Sequence, residues 1–168
     1  MKRLPSAVTS YCGLKELSSL RARQLLDEMI RVTRPGGTVA SAVWDYGGRM
    51  EMLRVFWDEA IALNPSIAGR DEKHMPLGRQ GELGDLWRKH GLRDVSEQPL
   101  TIHTLFSTFD HYWRPFLEKQ GPAGDYVATL ATPDREALRL WRRRLLADGG
   151  DRVIVLSARA WAVRGTVQ

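Results

Sequence analysis

The chain's 168 residues, 43% of them hydrophobic, carry enough apolar side chain for one real core, and the length predicts a single domain over residues 1–168. A net charge of +5 would suit a nucleic-acid partner only if it were concentrated, and the one cysteine, Cys12, excludes an intramolecular disulfide and a cysteine-built metal cage. Neither MKRLPSAVTSYCGLK at the N-terminus nor any later stretch has an apolar run of signal-peptide or bilayer-spanning length, so the sequence reads as soluble and cytoplasmic, with no membrane partner.

In chain order, AVTSYC is a candidate strand. From about Ser19 to Thr33, Ala22, Leu25, Leu26, Met29 and Ile30 trace a helical stripe, closed by Pro35 and a Gly36-Gly37 turn. Thr38 to Trp44 is apolar on both faces, as a central, doubly covered strand would be. A second helix runs roughly from Arg49 to Leu63, with Leu53, Phe56, Trp57, Ala60 and Ile61 inward, and Asn64-Pro65 ends it. Ser66 to Gly78 has no clear period and reads as an irregular crossing. A short helix from about Gln80 to His90 buries Leu83, Leu86 and Trp87 before Gly91.

Two long strands are expected in the last third and can pair with each other. Leu92 to Phe106 is interrupted near Pro99; Arg152 to Arg164 alternates, Val153, Val155, Trp161 and Val163 opposing Ile154, Leu156, Ala158 and Ala160. Between them lie an aromatic helix, TFDHYWRPFLEK, a loop, GPAGDYV, and a helix with Leu138, Trp141 and Leu145 on one side. Arg142, Arg143 and Arg144 then fall mostly on its solvated side, and no zinc-finger, RNP-type or helix-turn-helix signature accompanies them, so no nucleic-acid partner is expected. The pattern as a whole is α/β.

LLDEMIRVTRPGGTVASAVWD resembles the helix, turn and fifth strand of class I S-adenosylmethionine-dependent methyltransferases of the bacterial small-molecule kind. GELGDLWRKHGLRDV resembles the helix and sixth strand of that family, ARAWAVRG its seventh strand, and FDHYWRPFLEKQGPAGDYV an insertion that caps the substrate pocket in one branch. The resemblance implies a partial Rossmann-like fold: a small mixed sheet of strands resembling the fifth, seventh and sixth, joined by the fourth if AVTSYC is a strand. Helices would flank it, with a helical cap at residues 107–147. It also implies S-adenosylmethionine as cofactor and a small-molecule methyl acceptor. Only the C-terminal half of the family is matched. The glycine-rich loop that cradles the cofactor, and the acid that binds its ribose, are not in the sequence; GRQGELG has a different spacing and follows no buried strand. A truncated frame, a missing half supplied by another chain, and a domain that has lost cofactor binding would each account for this.

Ligands of open α/β sheets sit beyond the carboxyl ends of the strands. The resemblance places Ser10, Tyr11 and Cys12 beside the cofactor and Trp44 and Asp45 towards the acceptor. Asp45 reads equally as a turn or helix cap, Trp44 as core, and Cys12 as a small packed residue. Phe109, Tyr112, Trp113 and Phe116, at i, i+3, i+4 and i+7, put four rings on one helix face, with Pro115 bending it. They read as a core stripe, and under the resemblance Tyr112 and Trp113 would line an aromatic lid over the acceptor. His74, in DEKHMPLG, is the candidate catalytic base, against the plainer reading of an exposed loop histidine. His90, His103 and His111 have no acid or cysteine spaced to build a metal site. An unpaired apolar edge on the fifth strand would call for a homodimer or higher oligomer. The functional readings are therefore a methyltransferase and, from another class, a non-catalytic binding or interaction protein derived from its fold.

Overall fold

The computed structural model describes residues 5–11, 19–147 and 153–168. Its elements in order are β1 (Ala7–Tyr11), α1 (Ser19–Val32), β2 (Thr38–Trp44), α2 (Glu51–Leu63), two short 3-10 turns (Pro65–Arg70 and Glu72–His74), α3 (Glu82–Lys89), β3 (Arg93–Phe106), α4 (Phe109–Leu117), α5 (Gly121–Thr129), α6 (Thr132–Ala147) and β4 (Ile154–Thr166). The strands form a four-stranded mixed sheet in the order β1-β2-β4-β3. In the numbering of the resemblance this is fourth, fifth, seventh, sixth. β1 runs parallel to β2, and β4 antiparallel to β2, with Thr38 opposite Thr166 and Trp44 opposite Ala160.

The two-glycine turn pins this arrangement. Gly36 adopts φ +74°, a left-handed conformation that suits glycine, and its N–H donates to the Val167 carbonyl at 2.9 Å. Thr38 N–H donates to Ser6 O at 3.0 Å and Val167 N–H to Gly37 O at 2.9 Å, so the turn ties the start of β1 to the end of β4. At Gly37 the chain comes close enough to itself that a Cβ would lie 2.5 Å from Thr33 Cγ2.

Several elements depart from expectation. β2 is paired on both sides, so among the described strands the edge expected on it falls instead at β1, five residues long. Nor is β2 fully buried on both faces: Val39, Ser41 and Val43 are buried, and the residues alternating with them only half so. GPAGDYV is no loop but lies within α5, where a proline near the N-terminus fits the first helical turn. β3 is continuous through Pro99, which an edge strand tolerates.

Length alone reads as one core, whereas the chain divides into two compact units. The first comprises Met1–Asp45, Met75–Thr101 and Arg159–Gln168; the second, Tyr46–His74 and Ile102–Ala158, which takes in residues 107–147 together with α2. The core of the first is built from Leu26, Met29, Val39, Val43, Leu83, Trp87, Trp161 and Val163. Trp87 fixes one side of it through Nε1, which donates to Val39 O at 3.2 Å. The core of the second gathers Phe56, Trp57, Tyr112, Trp113, Phe116 and Tyr126 with Ile154 and Leu156. β4 runs through both units: its even-numbered residues are buried as far as Ala160, its odd-numbered ones from Trp161 onward.

Candidate functional site

The carboxyl ends of β1 and β2 meet in register, with Ser10 opposite Ser41 and Tyr11 opposite Ala42, which brings two of the expected cofactor-side residues next to β2. Cys12 lies outside the described residues. Trp44 and Asp45 do not stand together, because successive residues of an extended chain point to opposite faces. Trp44 continues the half-buried series of Thr38, Ala40 and Ala42; Asp45 continues the buried series of Val39, Ser41 and Val43 and is 4% exposed.

The Asp45 carboxylate accepts from Arg159 Nε at 2.8 Å and again from its Nη2, and the Asp45 N–H donates to Arg159 O at 2.8 Å. The guanidinium also lies 4.6 Å over the Trp161 ring. This is a fixed, largely desolvated pair that neutralises the acid at the end of β2. On the Trp44 series of β2, Ala40 and Ala42 with Thr9 and Ala162 line an open cavity of about 230 Å³, rimmed by Leu100 and Arg164. Small side chains on neighbouring strands make that hollow.

In the second unit Tyr112 and Trp113 are core residues, 0% and 2% exposed. Tyr112 donates its hydroxyl to Met52 O at 3.1 Å, and Trp113 stacks on Phe109 with ring centroids 6.1 Å apart. His74 ends a 3-10 turn, exposed, its backbone N–H donating to Asp71 O at 3.4 Å.

Sequence reasoning missed a buried polar cluster in the same unit. Asp71, whose side chain is fully buried, is bonded by Arg54 and by the Lys73 N–H at 2.9 Å. Burial alone would raise its carboxyl, but hydrogen bonds from Arg54 and Lys73, with the Arg54 charge, outweigh it and hold the group below the ordinary aspartate range. Glu72, 2% exposed, accepts from Trp57 Nε1 at 2.8 Å. Burial, and secondarily the Glu72 carboxylate, push the Tyr46 hydroxyl up to about 12. The available signal was two acids directly after the 3-10 segment in GRDEKH, in a stretch without period. Among the described residues, no group of three or more His, Cys, Asp or Glu side chains is placed to hold a metal ion, and no helix is long and apolar enough to cross a membrane.

No family model matches the chain, and neither does any curated protein. Among solved structures it is similar to the YcgJ protein of Bacillus subtilis, with 15% identity and a TM-score of 0.48 over 97% of this chain and 64% of that one. A Bacillus halodurans C-125 protein assigned as a methyltransferase gives 13% identity and a TM-score of 0.47 over 96% and 63%. The phosphoethanolamine N-methyltransferase 2 of Haemonchus contortus, in complex with phosphomonomethylethanolamine and S-adenosylhomocysteine, gives 13% and 0.42 over 97% and 33%. The chain therefore spans less than two thirds of each of these proteins.

Proposed function

We propose that the chain is part of an S-adenosylmethionine-dependent methyltransferase acting on a small molecule. The observation that carries this reading is the join RVTRPGGTVASAVWD, which folds as the end of a helix, a tight two-glycine turn and a strand flanked by a parallel and an antiparallel neighbour. The strand order β1-β2-β4-β3 agrees with the strands that the sequence resemblance implies.

The described residues do not by themselves make a cradle for the cofactor. Among the described residues no glycine-rich loop follows a buried strand, and the acid at the end of β2 is already committed to Arg159. Under this reading the cradle comes from residues outside the 168, in the same or another polypeptide, with Ser10, Tyr11 and Cys12 at its border. Trp44 stands towards the acceptor, while Asp45, committed to Arg159, holds the end of β2 in place behind it. Tyr112 and Trp113 stiffen a cap from within, and His74 serves as base where the acceptor needs one. A homodimer or higher oligomer that covers the β1 edge belongs to the same reading, and a monodisperse monomer in light scattering contradicts that part.

The same two observations favour a second reading, a non-catalytic binding protein that kept the fold. Isothermal titration of the 168-residue chain with S-adenosylhomocysteine separates them. Micromolar affinity supports a rebuilt cofactor site and the first reading; no heat at high concentrations of both components means that this chain alone is not a methyltransferase.

A further inference from the structure

On the second unit, α4 and α6 flank a groove of about 410 Å³ whose apolar lining comes from Trp113 and Leu117. That volume lies within the roughly 300–1,000 Å³ of small-molecule sites. Three arginines border it, and two already have anions. Arg139 donates to Asp110 at 2.8 Å and to Glu136 at 3.4 Å, and Arg114 sits 3.2 Å from Glu118. Arg135 differs: it is half-buried, and among the described residues its guanidinium has no hydrogen bond or ion pair. A cation partly stripped of water without an anion in return is costly, and a guanidinium is shaped to hold a carboxylate with two parallel bonds.

We infer that this groove binds a small monoanionic acid with a flat apolar body, an aromatic carboxylate, its carboxylate on Arg135 and its ring against Leu117, which is 49% exposed, and the small part of Trp113 that reaches the groove. The charge of the lining selects the ligand. Asp110 and Glu136 hold Arg139 in place but also repel a second negative charge, so a monoanion is accepted better than a phosphate dianion. The apolar lining supplies the rest of the affinity, which a bare anion cannot use.

The test is titration of the 168-residue chain with 2-naphthoate, followed by amide and indole N–H chemical shifts. Saturable shifts confined to α4, α6 and the Trp113 indole are expected. R135Q, whose amide can replace one of the two bonds but not the charge, should weaken binding about tenfold, the loss expected for one charge-assisted hydrogen bond. R31Q, which removes the same charge from the exposed Arg31–Glu28 pair on α1, should leave it unchanged. 2-Naphthamide, which lacks the charge, should bind as weakly as naphthoate binds R135Q. The inference is overturned by an absence of saturable shifts, by equal binding to R135Q and the parent chain, or by inorganic phosphate binding as tightly as naphthoate.

Discussion

In the first unit Val39, Val43, Trp161 and Val163 from strands meet Leu26, Met29, Leu83 and Leu86 from helices; in the second, Phe56, Trp57, Tyr112, Trp113 and Phe116 mostly meet each other. The difference follows from the elements available. A strand with its ladder bonds made needs only β-branched residues at a period of two to cover its face. α4 and α5 have nine residues each, too short to be stable alone or to bury much aliphatic surface, so each buried position must contribute more. Rings do this: Phe56 stacks on Phe116 at 4.6 Å and meets Trp57 edge-on at 5.2 Å. The second unit also buries more charge, with Asp71 and Glu72 both inside it.

The most severe way to break this contrast is Phe56→Ala, which removes the ring shared by four of the aromatic contacts. A loss of about 3–5 kcal/mol is expected in urea unfolding. If the ring cluster is a cooperative unit of its own, hydrogen exchange will show amides of α2, α4 and α5 losing protection while Val39 and Val43 in β2 keep theirs. Equal loss in both sets would show that one cooperative unit spans the chain, and the comparison would fail.

Asp71→Asn probes the buried charge. It leaves the Arg54 guanidinium without its carboxylate, and about 3 kcal/mol should be lost. Because the Asp71 carboxyl is depressed in the folded chain, its contribution is fully present above the ordinary aspartate value of about 3.9 and disappears as pH falls through the lower folded value. Urea titrations between neutral pH and the acid limb should therefore show a steeper loss of stability for the parent than for D71N below pH ~4. Parallel curves would mean that Asp71 does not titrate differently on folding.

How far the sequence carried the fold depends on which signal each segment offered. The α1–turn–β2 join was legible because a helical stripe, Pro35-Gly36-Gly37 and a branched run each mark a boundary, and α1 and β2 appear where those marks lie. α5 was misread as a loop: its glycines and proline are local turn formers, yet Ala123, Tyr126 and Val127 are buried, and tertiary burial overrides weak propensity. The two units were hidden because their segments interleave, and composition does not tell which apolar stripe meets which. Of the site, the position of Trp44 and Asp45 at the end of β2 could be read, but the partner of Asp45 could not. Arg159 lies 114 positions away, and only the antiparallel register of β4 brings it there. The Arg54–Asp71 pair, 17 positions apart across an aperiodic stretch, was invisible for the same reason.

A smaller effect, confined to the first unit, is expected for Gly37→Ala. The new Cβ would meet Thr33 Cγ2 at 2.5 Å, Arg34 O at 2.8 Å and Ser6 O at 3.0 Å, and two of these are backbone atoms that cannot step aside alone. About 1–3 kcal/mol should be lost, the ordinary range for overpacking. Second-site replacement Thr33→Ser removes the nearest methyl and should restore part of it. No recovery would place the strain in the backbone of the turn.

The mildest test addresses how the first unit finishes a helix that has no side-chain cap of its own. α3 begins after Gly81, which sits at φ +90° and offers no side chain, so the first N–H groups of the helix need an acceptor from elsewhere. Glu97 on β3 supplies it, its two carboxylate oxygens accepting from Gly81 N and Gly84 N at 2.6 Å each. Gly84 permits this, since a Cβ there would lie 3.0 Å from Glu97 Oε2. Glu97→Gln keeps one oxygen and removes the charge that favours a helix N-terminus; Glu97→Ala removes both acceptors. We expect losses of about 0.5–1 kcal/mol and 1–2 kcal/mol respectively, with faster exchange limited to the first turn of α3. The ratio of the two separates charge from hydrogen bonding. Glu82 and Asp85 already place negative charge in that turn, so hydrogen bonding should account for the larger share.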